Sequence, residues 1–283
     1  MSNLPTLVHS RAELGQVLDQ GPRTVVMTMG ALHQGHLDLV DRAVAHGGQI
    51  VVTIFVNPLQ FGQGEDFESY PRGLEADLAA LQGRGVAVVY APSVADIYPR
   101  GKPDITVAAG QLGQVFEGAC RPGHFDGVLT VVHKLLLRTG ATTAVFGQKD
   151  AQQLALIRRL VADLDLPVQV LAVPTRRDPD GLAMSSRNQR LDAQARAKAL
   201  VLPRALAAGA AEAAKSAVAS AIRQAAWRIL GAALPDLVVD YLEVVEPDSF
   251  AWLQDSYQGP GLIIGALRVG DTRLIDNAPI TVG

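Results

Sequence analysis

The length, composition and charge of this 283-residue chain exclude several classes of protein. A hydrophobic fraction of 48% and a charged fraction of 19% are typical of a folded globular chain, and the length permits two domains with separate cores. The net charge of -3 argues against a general nucleic-acid binder, which needs clustered excess cations. The single cysteine, Cys120, excludes an intramolecular disulfide and a zinc cage built from cysteines.

The sequence predicts neither a targeting segment nor a membrane span. Charges are scattered through the first thirty residues, where a secretory signal would have a basic stretch followed by an apolar core. The longest strand-like apolar run, residues 50–56, is far shorter than the ~20 residues that cross a bilayer as a helix. We therefore expect a cytoplasmic protein whose partners are small molecules and include neither nucleic acid nor membrane.

Short β-branched runs alternate with helical periodicities from residue 24 onward. The runs cover residues 24–29, 50–56, 86–90, 143–146 and 168–173. Between them apolar residues recur at helical spacing, as do Leu37, Val40 and Val44, so each helix is expected to place one apolar face on a sheet. This alternation predicts an α/β fold with a Rossmann-like, doubly wound parallel sheet. The long Gly- and Pro-rich segments 57–73 and 99–123 are candidate functional loops.

The composition changes near residue 176. Eighteen alanines stand among the 41 residues of segment 193–233, which predicts a helical pair broken at Pro203 and near Gly231. Apolar alternation then predicts an antiparallel sheet with strands at residues 237–245, 262–269 and 272–275. We therefore expect a Rossmann-like domain over residues 1–175 and a smaller α+β C-terminal lid domain over residues 176–283.

The strongest local pattern lies between the first predicted strand and the first predicted crossover helix. Its residues are Met29, Gly30, Ala31, Leu32, His33, Gln34, Gly35 and His36. A helix N-terminus presents unpaired N–H groups and the positive end of a dipole, which suit a phosphate group. Two imidazoles three residues apart reach one face, and each can donate to a phosphoryl oxygen. A metal site is the weaker interpretation, because no Cys, Asp or Glu cluster stands nearby in the sequence.

This His-x-Gly-His pattern resembles the signature of the nucleotidyltransferase superfamily, and further motifs narrow the resemblance to the pantothenate synthetase family. The motifs are FVNPLQF (55–61), YPR (70–72), GHF (123–125), FGQKD (146–150), QQL (152–154), DGLAMSSRN (180–188), VDYLE (239–243) and LIDN (274–277). The resemblance implies an enzyme, a homodimer, that joins pantoate to β-alanine with ATP and Mg²⁺. The pantoate carboxylate attacks the α-phosphate, and the β-alanine amine then displaces AMP from the pantoyl-adenylate.

The resemblance also implies roles for individual residues. His36 is expected to be the proton donor, and His33 and Lys149 to contact the phosphates with it. The remaining ATP-binding candidates are Met29, Gly30, Ala31, Leu32, Gln34, Gly35, Gly147, Gln148, Asp150, Arg176, Met184, Ser185, Ser186 and Arg187. The candidates for binding pantoate are Gln60, Gln153, Asn57 and Tyr70.

Several of these residues have a second interpretation that the sequence leaves open. Asp77 and Asp150 either lie near a metal ion or ribose or serve as helix caps and solvated groups. The sequence does not identify the metal ligands, and Asp77 is a candidate. The Ser185-Ser186 pair is also typical of a helix N-cap. His124 is either close to the substrate or structural.

Four residues depart from the usual pattern of the family. Met27 stands where a proline is usual, Gln148 where a glutamate is usual, and Ala151 where an aromatic residue is common. Arg176 replaces a small apolar residue. None of these changes removes a proposed catalytic group, so we expect them to affect the affinity for ATP more than the reaction.

Two alternative functions stay open. One, also an enzyme, is a cytidylyltransferase-like protein acting on another small acid, from which the Gln60 and Gln153 amides together with residues 184–187 distinguish this chain. The other, from a different class, is a nucleotide-binding paralogue with weakened catalysis, against which the retained residues argue: His33, His36, Lys149 and Arg187.

Overall fold

The computed structural model describes residues 4–62, 64–65, 67–216, 218–233 and 237–283. These residues form two compact units. The first unit comprises Met1–Gln148 and Leu156–Pro174, and the second comprises Lys149–Ala155 and Thr175–Gly283. In the described parts of the chain, the helices are all too short or too polar to cross a membrane.

The first unit is built on a six-stranded parallel sheet with the strand order β1-β4-β3-β2-β5-β6. Its strands are β1 (Thr6–Val8), β2 (Arg23–Thr28), β3 (Gln49–Ile54), β4 (Val88–Tyr90), β5 (Thr143–Gly147) and β6 (Gln169–Val173). The order of the strands reverses between β2 and β5, which is where doubly wound sheets bind ligands. The predicted Rossmann-like fold class is confirmed.

Helices and short turns connect these strands. The helices are α1 (Arg11–Val17), α2 (Gln34–His46), α3 (Leu74–Leu81), α4 (Val94–Ile97), α5 (Glu117–Cys120), α6 (His124–Thr139) and α7 (Ala151–Asp163), the first residues of α7 belonging to the second unit. The described residues of the candidate loops 57–73 and 99–123 include α5 and 3-10 turns at Pro58–Gln60 and Gln111–Gln114.

The buried face of α2 shows why the sheet forms. Leu37, Val40 and Ala43 are buried in the core shared with β2, β3 and β5. Val44, predicted to lie on the same face, is 39% exposed, because the stripe that meets the sheet runs through Ala43. The three-residue strand β1, which the apolar pattern did not predict, pairs in parallel with β4 at the edge of the sheet.

Besides the start of α7, the described residues of the second unit form three helices and an antiparallel sheet of order β7-β8-β9, as expected for an α+β unit. Its elements are α8 (Ala193–Ala199), α9 (Val201–Ala213), α10 (Ala219–Gly231), β7 (Val238–Val245), β8 (Gly259–Val269) and β9 (Thr272–Val282). The break predicted at Pro203 lies three residues earlier, at Leu200 between α8 and α9, and α10 ends at Gly231 as predicted. Pro203 lies in the first turn of α9, where a backbone N–H has no partner within the helix, so the ring is tolerated.

Small residues allow α9, α10 and β8 to pack closely. Ala205 and Ala226 are fully buried. A Cβ atom on Gly209 would lie 2.7 Å from Cδ1 of Ile263 and 3.3 Å from Cβ of Ala226. The alanine-rich composition of this segment therefore serves helix packing in addition to helix propensity.

Candidate active site

The turn after β2 has a backbone that a distant carboxylate holds in place. Gly30 and Ala31 both have positive φ values, 84° and 51°. Asp77 on α3 is buried, and its Oδ2 accepts from the Ala31 N–H at 3.1 Å while its Oδ1 accepts from the Leu32 N–H at 2.8 Å. A Cβ atom on Gly30 would lie 2.9 Å from Oδ2 of Asp77, so only glycine fits there.

The two histidines of the turn lie against each other at the start of α2. Their ring centroids are 4.0 Å apart. The backbone N–H of His33 donates to Nδ1 of His36 at 3.3 Å. Since Nδ1 of His36 accepts, a neutral His36 carries its proton on Nε2, which makes Nε2 a donor. The N-terminus of α2 and the Nε2–H group of His36 together suit a phosphate oxygen.

The loop after β3 brings the pantoate candidate Gln60 into contact with the turn. Nε2 of Gln60 donates to Sδ of Met29 at 3.1 Å, and Nδ2 of Asn57 donates to Oε1 of Gln60 at 3.1 Å. Tyr70 is buried and meets the Phe61 ring edge-on, with centroids 6.0 Å apart. Met29, Gln60 and Asn57 are therefore linked in a chain of hydrogen bonds.

A cavity of about 290 Å³ lies at the carboxyl ends of β2, β3 and β4. Its lining includes Met29, Gly30, Phe55, Val56 and Arg72. The cavity is small and largely apolar, and it belongs entirely to the first unit.

His124 lies beneath the Gln60 loop and has a structural environment. Its Nδ1 lies 2.8 Å from the backbone carbonyl of Gln60, which can only accept, so Nδ1 carries a proton. Its Nε2 lies 3.0 Å from Nη1 of Arg121, which can only donate. Burial lowers the pKa of His124 to about 4, and the Arg121 charge adds to the effect. His124 is therefore neutral near pH 7.

Arg121 links this histidine to two carboxylates. It forms a bidentate pair with Glu65 at 2.8 and 2.7 Å and a longer contact with Glu117 at 3.5 Å. Burial alone would raise the pKa of Glu65, but the hydrogen bonds and charge of Arg121 outweigh it and hold that pKa below its ordinary value. Neither Arg121 nor Glu65 was a candidate from the sequence.

In the second unit, a side chain from β9 holds the backbone at Lys149. Nδ2 of the buried Asn277 donates to the backbone carbonyl of Lys149 at 2.8 Å. Asp150 is exposed and precedes α7, and Gln153 in the first turn of α7 is partly exposed. The LIDN motif that contains Asn277 therefore positions the Lys149 backbone.

The segment 176–190 is a short hairpin followed by a capped turn. The backbone N–H of Met184 donates to the carbonyl of Arg176 at 2.9 Å. Ser185 caps the 3-10 turn Ser186–Arg190, with its Oγ accepting from the Arg187 N–H at 3.3 Å. The N-cap interpretation of the serine pair is thus correct for Ser185.

Ion pairs fasten this hairpin to its own unit. Arg177 forms a bidentate pair with the buried Asp276 at 2.7 and 3.0 Å. Arg196 on α8 pairs with Asp178 and Asp180, each at 2.7 Å. No sequence motif assigned a role to Arg177 or Arg196, because their partners lie 99 and 16 to 18 residues away.

Comparison with known proteins identifies the family. The sequence pattern described as Pantoate-beta-alanine ligase matches residues 6–279. A pantothenate synthetase of Acidothermus cellulolyticus is 53% identical, over 92% of this chain and 86% of that protein. One of Salinispora arenicola is 51% identical, over 97% of both chains.

Two solved structures extend the likeness to the fold. The crystal structure of pantothenate synthetase from Thermus thermophilus has a TM-score of 0.92 and 45% identity, covering 96% of this chain and 98% of that one. Pantoate-beta-alanine ligase from Francisella tularensis, complexed with beta-gamma ATP and β-alanine, has a TM-score of 0.78 and 31% identity, covering 97% of both chains. The chain therefore belongs to the pantoate–β-alanine ligase family.

Proposed function

We propose that this chain, as a pantoate–β-alanine ligase, condenses (R)-pantoate with β-alanine through a pantoyl-adenylate and releases AMP and pyrophosphate. The observation that carries the proposal is the arrangement at the end of β2. There the His33–His36 pair at the N-terminus of α2 and the Met29–Gln60 contact belong to one unit. Family membership and the Francisella complex support the reaction and the use of ATP and β-alanine.

In the first step, a pantoate carboxylate oxygen attacks the α-phosphorus of ATP, and the bond from that phosphorus to the β-bridging oxygen breaks. Nε2 of His36, protonated as described above, donates to a phosphate oxygen where negative charge develops. Gln60 and Gln153 hold pantoate with uncharged amides, which bind a carboxylate without a charge that would slow its release.

In the second step, the β-alanine amine attacks the acyl carbon of the adenylate, and AMP leaves. We propose that four residues bind the phosphates: Lys149, Ser185, Ser186 and Arg187. Their donors supply positive charge and hydrogen bonds to the leaving group. The other ATP contacts expected from the family pattern, including the backbone of Arg176 and Met184, complete the proposal.

Mg²⁺ fits this chain best as an ion that ATP carries. Within the described ranges, no three His, Cys, Asp or Glu side chains come together to hold a metal ion. Both carboxylate oxygens of Asp77 already accept backbone N–H groups. Mg²⁺ often binds through substrate phosphates, waters and one or two carboxylates, so Asp150 is the remaining candidate ligand. Bound there, Mg²⁺ would neutralise phosphate charge.

The remaining parts of the proposal rest on the family resemblance. We assign residues 1–175 to ATP and pantoate binding and residues 176–283 to a smaller domain that contributes phosphate-binding side chains. We also propose a cytoplasmic homodimer. Sedimentation of the purified protein tests the dimer directly.

Pantoate-dependent exchange of labelled pyrophosphate into ATP tests the proposed reaction. We expect exchange with ATP and pantoate alone, and formation of AMP and pantothenate once β-alanine is added. Exchange that requires CTP would favour the cytidylyltransferase-like alternative. The absence of exchange with any nucleotide would favour the paralogue with weakened catalysis.

A further inference from the structure

A buried chain of hydrogen bonds ends at the amide of Gln60. The Tyr98 hydroxyl donates to Oδ1 of Asn57 at 2.8 Å, and Nδ2 of Asn57 donates to Oε1 of Gln60 at 3.1 Å. Nε2 of Gln60 then lies 3.1 Å from Sδ of Met29, a residue that lines the cavity. Tyr98, Asn57 and Gln60 are all buried, so water does not compete for these hydrogen bonds.

Two backbone groups show which way the Asn57 amide points. The carbonyl of Gly127 can only accept, so the atom 3.0 Å from it is Nδ2. The N–H of Leu59 can only donate, so the atom 3.3 Å from it is Oδ1. These contacts force the Tyr98 hydroxyl to act as a donor toward Oδ1. Burial raises the pKa of Tyr98 above its ordinary value, so the hydroxyl keeps its proton in the physiological range.

The hydrogen-bonding capacity of Asn57 is used entirely within the protein. Its two N–H groups serve Gly127 and Gln60, and its oxygen accepts from Leu59 and Tyr98. An amide has two donors and two acceptor sites, so none is left for a substrate. Asn57, a sequence candidate for direct contact with pantoate, therefore acts on the substrate through Gln60.

The contact with Asn57 determines which end of the Gln60 amide faces the substrate. Its oxygen is held by Asn57, so its NH₂ group is the end turned toward Met29. A thioether is a weak acceptor, and a carboxylate or hydroxyl oxygen competes with it readily. The site thus presents donors to the acid substrate, and a glutamine rotated by half a turn would present an oxygen that repels a carboxylate.

We infer that Tyr98 and Asn57 are positioning residues that lock the Gln60 amide with its NH₂ group toward the oxygen atoms of the acid substrate. This inference rests on the proposed function and deepens it, because it explains how the site selects an oxygen-rich anion with an uncharged residue. The selected class is a small carboxylate that offers acceptors at the Met29 end of Gln60.

The substitution Tyr98→Phe tests the lock by removing one hydroxyl. Asn57 then keeps one of its two donors to Oδ1, and Gln60 spends part of its time in the rotated state. Apparent affinity falls by the fraction of correctly oriented protein, so we expect the KM for pantoate to rise by about three- to tenfold. The kcat should stay within about twofold and the KM for ATP should not change, because the lock acts only on acid binding.

A matched control removes another buried tyrosine hydroxyl from the same unit. Tyr90 donates to Asp96 and accepts from Arg138, and it makes no contact with Asn57. We expect Tyr90→Phe to leave the KM for pantoate unchanged, whatever it does to thermal stability. If both variants raise the KM for pantoate equally, the effect is a general loss of packing and the lock is refuted.

The substitution Asn57→Asp gives the larger effect. An ionised carboxylate can only accept, so it takes the NH₂ group of Gln60 and turns Oε1 toward the substrate. We expect the KM for pantoate to rise by more than about thirtyfold, beyond the Tyr98→Phe effect. If Asn57→Asp does not fold, Tyr98→Phe decides alone, and an unchanged KM for pantoate there overturns the inference.

A readout without turnover separates the lock from the proposed function. The side-chain amide of Gln60, assigned by its disappearance in Gln60→Met, is followed by ¹⁵N NMR in the parent and in Tyr98→Phe. The lock predicts one sharp pair of signals in the parent and a shifted or broadened pair in Tyr98→Phe. Unchanged signals overturn the lock even in an enzyme that makes pantothenate. A parent that shows these signals without pantoate-dependent exchange refutes the proposed function alone.

Discussion

The turn after β2 and the hairpin at 176–190 both carry proposed ATP-binding residues, yet different contacts hold them. In the turn, the buried carboxylate of Asp77 reaches backbone groups 45 and 46 residues away. In the hairpin, Arg177 and Arg196 pair with aspartates, and each arginine side chain is about one third exposed. Removing a partner from a buried group leaves an unsatisfied donor, whereas exposed ion pairs are weak and screened by salt.

This contrast locates the rigidity of the enzyme. The turn after β2 (residues 29–36) and the loop that contains Gln60 (residues 57–62) form one wall of the candidate site, and we refer to them as the wall. In the wall, small side chains, backbone groups and buried amides hold one another in place without a ligand. The hairpin is fastened by arginines that solvent reaches, and one of their partners, Asp276, is buried. Damage to the wall should therefore lower stability and activity together, and loss of the partly exposed Arg196 pairs should lower stability only slightly.

The largest effect is expected from Asp77→Ala. Two partly buried backbone N–H groups, of Ala31 and Leu32, lose a charged acceptor, so we expect the free energy of unfolding to fall by about 2 to 3 kcal/mol. The turn that carries His33 and His36 should loosen, and pantoate-dependent exchange should fall by at least about a hundredfold. Urea unfolding and the exchange assay measure the two effects.

Asp41→Ala is the control for this substitution. Asp41 is an exposed aspartate on α2 that pairs with Arg84 at 3.0 Å. Its loss should change neither stability nor exchange measurably. If Asp77→Ala abolished exchange but unfolded like the parent in the absence of Mg²⁺, Asp77 would act on the metal and the turn would not depend on it.

The next effect is a pH dependence of stability caused by His124, whose Nδ1 donates to the backbone carbonyl of Gln60 in the wall. Since the pKa of His124 is lowered to about 4 in the folded chain, the unfolded chain binds the proton first as pH falls below about 6.5. Stability is therefore complete above pH 6.5 and is lost as pH falls toward 4. Between pH 7.5 and pH 5 this histidine should cost about 2 kcal/mol of unfolding free energy.

The variant His124→Gln isolates that contribution. Glutamine does not titrate, so the unfolding free energy of the variant should change less than that of the parent between pH 7.5 and pH 5. The lowered pKa of Glu65 places its own contribution at lower pH. If the plots of unfolding free energy against pH are parallel for the parent and the variant, His124 does not cause the loss of stability at acid pH.

A smaller free energy is expected from His36→Ala. The variant loses the Nε2–H donor toward the phosphate, and we expect adenylate formation to slow by at least tenfold, about 1.4 kcal/mol of transition-state stabilisation. The fold should persist, because His36 is partly exposed. His46→Ala, at the other end of α2, is the control and should leave the rate unchanged. Equal rates in His36→Ala and the parent would remove His36 from the mechanism.

The sequence predicted the local features of the wall and missed its long-range ones. Periodicity and the position of the glycine-rich turn were enough for β2, α2 and the His33–His36 pair. The partners Asp77 and Tyr98 lie 45 and 41 residues from the groups they hold, and no local pattern encodes such a distance. The break predicted at Pro203 lies at Leu200 for a related reason, since the effect of a proline depends on where the helix begins.

The smallest effect tests the hairpin side of the comparison. Arg196→Gln removes the contacts to Asp178 and Asp180, and because the guanidinium is about one third exposed we expect a loss of less than about 1 kcal/mol in unfolding free energy. Salt at about 1 M should remove most of the difference from the parent, since it screens the pair in the parent as well. The KM for ATP should rise by no more than about threefold, because Arg177 and the Ser185 cap still hold the hairpin. A salt-independent loss of more than about 2 kcal/mol would mean that the hairpin is as rigidly built as the wall, and the distinction between the two regions would fail.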